Sequence, residues 1–208
     1  GIISYPAFIF PSEDFYAEWK HVETLKAHLE QFDATAIAVG SGVINDTVKY
    51  VSYLLSRKYM CVGTAASMDG FTAYGSSITK DGNKQTFDCP APFGFVLDSG
   101  IAAEAPKELA ASGYADLIAK IPAAADWMIA DAVGSEKIDE CAWGLVQDGL
   151  KEALADPAAV RAGDVEKTQA LADGLLMSGF AMQAIQSSRP ASGAEHQYSH
   201  CWDMEDLC

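Results

Sequence analysis

A chain of 208 residues with half of them hydrophobic can bury a substantial core, in one large domain or two small ones. Its 29 acidic against 14 basic side chains leave a formal charge of −15 with no basic stripe, which argues against nucleic acid and anionic lipid as partners. Five cysteines (Cys61, Cys89, Cys141, Cys201 and Cys208) show no C-x-x-C spacing and cannot all pair, which argues against a disulfide framework and for a reducing, cytoplasmic setting. No signal peptide is read at the start. Asp126 and Asp131 interrupt the most apolar helical stretch, so no membrane span is expected.

The chain opens on an apolar, strand-like IISYPAFIF, and the histidines that follow, His21 and His28, fall on a charged helix expected to be solvated. Residues 34–39 (ATAIAV) are short, apolar and rich in small or β-branched side chains, which predicts a buried strand. Gly40-Ser41-Gly42 follows at once. Val43, Thr47, Val48, Val51, Leu54 and Leu55 are then spaced for a helix, and residues 59–64 (YMCVGT) predict a second buried strand. Strand, glycine turn, helix and strand make a βαβ unit, the building block of parallel sheets. Residues 76–88 alternate around Asp81-Gly82, the signature of a hairpin, and residues 93–98 predict one more strand. Past residue 100 the periodicity is helical, over 105–131, 137–153, 165–187 and 191 onward. An α/β part over residues 1–99 is thus expected to hand over to an all-α part over 100–208.

The Gly40-Ser41-Gly42 turn lies where a strand meets a helix, so backbone N–H groups and the helix dipole can receive a pyrophosphate there. Alone, the pattern equally describes a tight turn. Thr64-Ala65-Ala66-Ser67-Met68-Asp69-Gly70 follows the next strand, and ligands of open α/β sheets bind at the carboxyl ends of strands. Two such loops after consecutive strands predict one shared ligand site, although capping and turn formation also use Ser and Asp. His196 and His200 stand four apart on a predicted helix, a spacing that turns both to one face and suits a metal, but two ligands do not make a site. Asp116, in the apolar helical segment GYADLIAK, is either an exposed polar-face residue or a buried carboxylate that needs a partner. Arg189, just ahead of the histidine helix, is either a phosphate receptor or a loop tether.

GSGVIND, TAASMDGF, GYADLIAK and SRPASGAEHQYSH occur here in an order that resembles the sn-glycerol-1-phosphate dehydrogenases. That family lies within the glycerol dehydrogenase and dehydroquinate synthase superfamily, near the iron-containing alcohol dehydrogenases. The resemblance runs through essentially the whole chain and implies a dehydroquinate synthase-like fold. Its first part would be a partial Rossmann-like parallel sheet with a β-hairpin that binds a dinucleotide. Its second would be a helical domain, incomplete at its C-terminus, that binds metal and substrate. NAD or NADP is the implied cofactor, on Gly40, Ser41, Gly42, Val43, Ile44, Asn45, Asp46, Thr64, Ala65, Ala66 and Ser67. A divalent metal, zinc or else iron or nickel, is implied on Asp116 and His196, and a polyol or polyol phosphate on Asp69, Asp116, Arg189 and His200. Asp116 and His200 are the implied catalytic residues, and a homo-oligomer is left open.

The chain departs from the family pattern in three ways. Ala73 stands where the family has a cofactor-touching serine. A third metal ligand, a histidine, is expected beyond Cys208, and a first βαβ unit with the ribose-reading acid before Gly1. The chain is therefore expected to be a natural enzyme cut at both ends. The implied chemistry is metal-assisted hydride transfer between sn-glycerol 1-phosphate and dihydroxyacetone phosphate, with His200 as proton relay or phosphate partner. Competing readings are a dehydrogenase of glycerol or another free polyol, a dehydroquinate synthase-like lyase, and a non-catalytic binding homologue.

Overall fold

The computed structural model describes residues 4–10 and 15–204. Helix α1 (Trp19–Leu29) precedes strand β1 (Ala36–Gly40), helix α2 (Gly42–Leu54) and strand β2 (Tyr59–Gly63). Strands β3 (Ser76–Lys80) and β4 (Asn83–Phe87) pair as the hairpin, and β5 (Gly94–Leu97) returns to the first sheet. Asp81 and Gly82 sit at φ 53° and 76°, the two left-handed positions of a type I′ turn, which sets Lys80 opposite Asn83.

β1, β2 and β5 form a three-stranded parallel sheet in the order β1-β2-β5. Its register places Ala38 beside Cys61 and Cys61 beside Phe95. Strand side chains alternate between faces, and this row faces a core of Val22 and Leu25 from α1, Val48 and Val51 from α2, and Phe71 and Ile78. The other face bears Ile37, Val39 and Val96, exposed by 60, 60 and 51 %. Parallel sheets are ordinarily covered on both faces. Here one face has no covering layer among the described residues.

All further regular structure among the described residues is helical: α3 (Ser99–Glu104), α4 (Lys107–Ile118), α5 (Lys120–Ala132), α6 (Glu140–Gln147), α7 (Leu150–Ala153), α8 (Pro157–Ala162), α9 (Val165–Ile185) and α10 (Ala194–Met204). α9 is the hub, with α3, α4, α6, α7 and α8 packed around its buried Leu171, Leu175, Ser178 and Met182. Asp98, Asp139, Asp156 and Asp164 cap α3, α6, α8 and α9 by accepting from backbone N–H groups one turn on. Each such cap is worth about 1 kcal/mol, so part of the acidic excess works at helix starts.

The structure differs from the sequence expectation in several elements. The single helix expected over 105–131 is two, α4 and α5, with the break at Ala119. Pro122 accounts for it: proline has no N–H for the Ile118 carbonyl, and its ring crowds the preceding turn. The helix expected over 137–153 is likewise divided at Asp148 and Gly149 into α6 and α7, and α8 was not foreseen. Residues 4–10 are not a strand. Pro6 offers no N–H for pairing, and the segment instead lays Phe8 on the His28 ring and Phe10 near that of His21. Those two histidines are thus packed among aromatics, including Phe15 and Phe32, rather than solvated. Among the described residues no helix is long and apolar enough to cross a membrane.

Candidate functional site

The carboxyl edge of the parallel sheet gathers the two glycine-bearing loops. The Thr64 N–H donates to the Gly40 carbonyl at 3.2 Å, which joins the turn after β1 to the turn after β2. Gly40 has φ 153°, outside the range most side chains adopt, and a Cβ there would meet Ile44 at 2.8 Å. A Cβ on Gly42 would meet the Met68 sulfur at 2.5 Å, so the Met68 side chain lies directly against the glycine turn and would have to shift for any larger residue. The N-cap of α2, Ser41, makes no side-chain cap and the first turn carries no acid, so α2 itself sets no side chain against its own first N–H groups. A glycine cradle with an uncapped helix start fits the phosphates of a dinucleotide.

The sequence-predicted cofactor segment does not all face one way. The Asn45 side chain is buried, accepts from the Tyr59 hydroxyl at 3.0 Å and donates to the Gly70 carbonyl at 3.4 Å. Asp46 accepts from Asn45 at 3.2 Å and from the Ser77 N–H, and its own carbonyl accepts from the Ser76 hydroxyl at 2.8 Å. Burial pushes the Asp46 carboxyl up to about 6, against the pull of Lys49. Asn45 thus ties α2 to β2 and the loop after it, and Asp46 ties α2 to the hairpin. Ala65 and Ala66 are buried as well, while Thr64 and Ser67 are half-buried.

Asp69 and Asp116, far apart in sequence, meet. The Asp69 N–H donates to Asp116 Oδ2 at 2.8 Å, and one ammonium, Lys120 Nζ, lies 2.7 Å from both Asp69 Oδ2 and Asp116 Oδ1. The Ser178 hydroxyl adds a bond to Asp69 Oδ2 at 2.8 Å. Lys120 is 1 % exposed at its side chain. Burial, then the neighbouring Asp69, raises the Asp116 pKa, and Lys120 opposes both. Burial alone would lower that of Lys120, but its two carboxylate partners raise it overall. Glycines admit the surrounding helices: a Cβ on Gly113 of α4 would overlap the Ala66 carbonyl, and one on Gly179 of α9 would overlap Thr72 Oγ1 and stand 2.5 Å from the Asp69 carbonyl oxygen.

His196 and His200 share one face of α10, with ring centroids 4.7 Å apart and edge-on. α10 is docked on α5, where Asp126 Oδ2 accepts from the Ala194 N–H at 2.8 Å. Arg189 reaches the Asp126 carbonyl at 3.0 Å and Glu136 Oε2 at 2.9 Å, so its guanidinium tethers the loop ahead of α10. Among the described residues no three His, Cys, Asp or Glu side chains stand together as a metal site. The charge of Asp116 is balanced instead by Lys120. The described residues therefore do not complete the three-ligand site that the resemblance implies.

Sequence reasoning missed Lys120 and Ser178. Lys120 stands four after Asp116, a pairing distance on a helix, and that signal was available. Ser178 lies 109 positions from Asp69, and no local pattern joins them.

The sheet edge, its glycine turns and the helical bundle are those of a known class. Residues 5–106 match the sequence model of the iron-containing alcohol dehydrogenases. The chain is also similar to glycerol-1-phosphate dehydrogenases [NAD(P)+]: 36 % identity over 171 residues with that of Bacillus velezensis, and 38 % over 186 with that of Methanocorpusculum labreanum. These alignments take in 82 and 89 % of this chain but 43 and 51 % of the relatives, so the chain spans about half their length. A probable glycerol dehydrogenase from Sinorhizobium meliloti shares the fold at TM-score 0.70 and 20 % identity, over 82 % of this chain and 51 % of that one. An iron-containing alcohol dehydrogenase from Thermotoga maritima does so at 0.64 and 15 %, over the same two shares.

Proposed function

We propose that this chain contributes the dinucleotide cradle and part of the substrate site of an NAD(P)-dependent, cytoplasmic dehydrogenase that interconverts sn-glycerol 1-phosphate and dihydroxyacetone phosphate. The observation that carries the reading is the meeting of both glycine-bearing loops with Asp69 and Asp116 at one sheet edge, in a chain similar to enzymes of that name. Residues 40–44 and 65–67 would hold the cofactor phosphates through backbone N–H groups, and Thr64 and Ser67 add hydroxyls. When bound, the nicotinamide would accept hydride from the carbinol carbon in oxidation or supply it to the ketone carbon in reduction. Asp69, fixed by Lys120 and Ser178, would accept a hydroxyl hydrogen of the polyol and orient it. His200 would carry the proton released from or delivered to the reacting oxygen. Asp116 and His196 are proposed as contributors to a divalent metal site, zinc by resemblance. No step is drawn through it, because the described residues do not complete it.

The test uses the natural protein that contains this sequence. NADH or NADPH should bind, and sn-glycerol 1-phosphate should be oxidised with at least ~100-fold higher kcat/KM than glycerol, more than an apolar pocket alone can discriminate. Asp69→Asn should lower kcat/KM on the order of 10- to 100-fold, the worth of one charge-assisted hydrogen bond. Preference for glycerol would select the free-polyol reading, and absence of dinucleotide binding would overturn both.

A further inference from the structure

α2 lays an apolar face on the sheet, yet it buries a lysine. Lys49 is 1 % exposed, and its Nζ donates to the carbonyl oxygens of Gly70 at 2.8 Å, Ala73 at 3.0 Å and Gly75 at 3.0 Å. An ammonium has three donors, so all are used on backbone oxygens. The acceptors lie on one bend, 70–75, that starts immediately after Asp69 and ends on Gly75 at φ 88°. Converging carbonyl dipoles repel one another, and a buried bend that points three oxygens inward needs a cation at its centre.

From the opposite side the same stretch is held by the helical bundle. Lys120 and Ser178 hold Asp69, and the Thr72 hydroxyl donates to the Leu176 carbonyl at 3.0 Å. The loop after β2 is thus strung between α2 and the bundle, with one buried ammonium at each side. We propose that Lys49 is a positioning residue. Its ammonium occupies the place of a bound monovalent cation, gathers the three carbonyls, and so fixes the direction in which Ser67 and Asp69 face the crevice. The proposal rests on the functional reading in one respect only, that this segment serves cofactor and substrate.

Hydrogen exchange on Lys49→Met and Lys49→Ala tests it. Amides of residues 66–76 should exchange on the order of 100-fold faster, while those of β1 and α9 keep wild-type protection. In Lys49→Ala, n-propylammonium, which replaces the lost stem and its three N–H donors, should restore that protection, and tetramethylammonium, which has no N–H donor, should not. The Kd for NADH should rise roughly 10-fold in Lys49→Met, and n-propylammonium should recover it in Lys49→Ala. Unchanged exchange in this segment, an equal loss of protection along the whole chain, or equal rescue by both cations would overturn the proposal. If neither variant folds, the wild type decides. A slowly exchanging Lys49 ammonium signal in a ¹H–¹⁵N spectrum supports the cage, and rapid exchange with water refutes it. Failure of the wild type to bind NADH would sink the functional reading and leave the exchange experiment as a test of Lys49.

Discussion

Gly113→Ala isolates how closely α4 is pressed on the loop after β2. A Cβ at position 113 would overlap the Ala66 carbonyl oxygen and stand 2.9 Å from the Ala66 carbonyl carbon and 3.0 Å from Leu175 Cδ1. Non-bonded heavy atoms settle at roughly 3–4 Å, and the overlap with the carbonyl oxygen is the worst of the three, so α4 and the loop must part by about an ångström or more. One neighbour is backbone and cannot rotate away. Parting them opens the contact among Ala66, Leu117, Leu171 and Leu175, which are buried together. Overpacking of this kind costs about 1–3 kcal/mol, and often more where backbone must move, while alanine regains about 1 kcal/mol over glycine in helix propensity. The expected net loss is about 2 kcal/mol, or some 4–8 °C in Tm for a chain of this size. Gly149→Ala is the matched control. Gly149 has nothing within 4 Å of its would-be Cβ and lies at φ −97°, so the same change should be neutral or stabilising by up to about 1 kcal/mol. Urea titrations at constant m-value read both. If Gly113→Ala proved as stable as Gly149→Ala, the close approach of α4 to the loop would be refuted.

Other perturbations follow from the buried charges and thiols. Lys120→Met removes the shared partner of Asp69 and Asp116 and should destabilise by about 3–5 kcal/mol, with part regained on adding Asp116→Asn; a loss below about 1 kcal/mol in urea unfolding would show that the ammonium does not balance them. Asp46 has its folded pKa raised from 3.8 to about 6, so the native state holds a proton that the unfolded chain has lost, and this group's contribution, present below about 4, fades as pH rises to 6. Asp46→Asn should therefore flatten Tm against pH between those values and gain up to about 3 kcal/mol at pH 7, and an unaltered slope would contradict it. Burial pushes the Cys61 and Cys89 thiols up to about 12, whereas Cys141 and Cys201 are exposed. Peptide mapping after brief native alkylation at pH 8 should find label on Cys141 and Cys201, with Cys61 and Cys89 modified only after unfolding.

What the sequence by itself determined is what local interactions decide. The βαβ unit, the Asp-Gly hairpin and the helical second part follow from periodicity and turn chemistry, because a strand, a tight turn and an amphipathic helix are each specified by neighbouring residues. The positions of Gly40, Thr64 and Asp69 at the carboxyl edge follow too, since a parallel sheet sends every strand's end to the same side. Boundaries that depend on a single residue were less legible, and Pro122 divided a helix that its apolar pattern joined. Side-chain direction was decided only by the tertiary structure. Asn45 and Asp46 share a motif with Gly42, yet they turn toward Tyr59 and the hairpin rather than toward the crevice. A motif fixes spacing along the chain, but which way a polar side chain faces depends on the partners the fold brings to it. The same holds for charge. Sequence showed that a buried Asp116 needs a partner, and folding supplied Lys120 from the next turn and Asp69 from 47 positions away. In Lys49 it produced a cation held by three backbone carbonyls, which no side-chain pattern encodes, because the backbone is the same at every residue and only folding gathers its oxygens to one point.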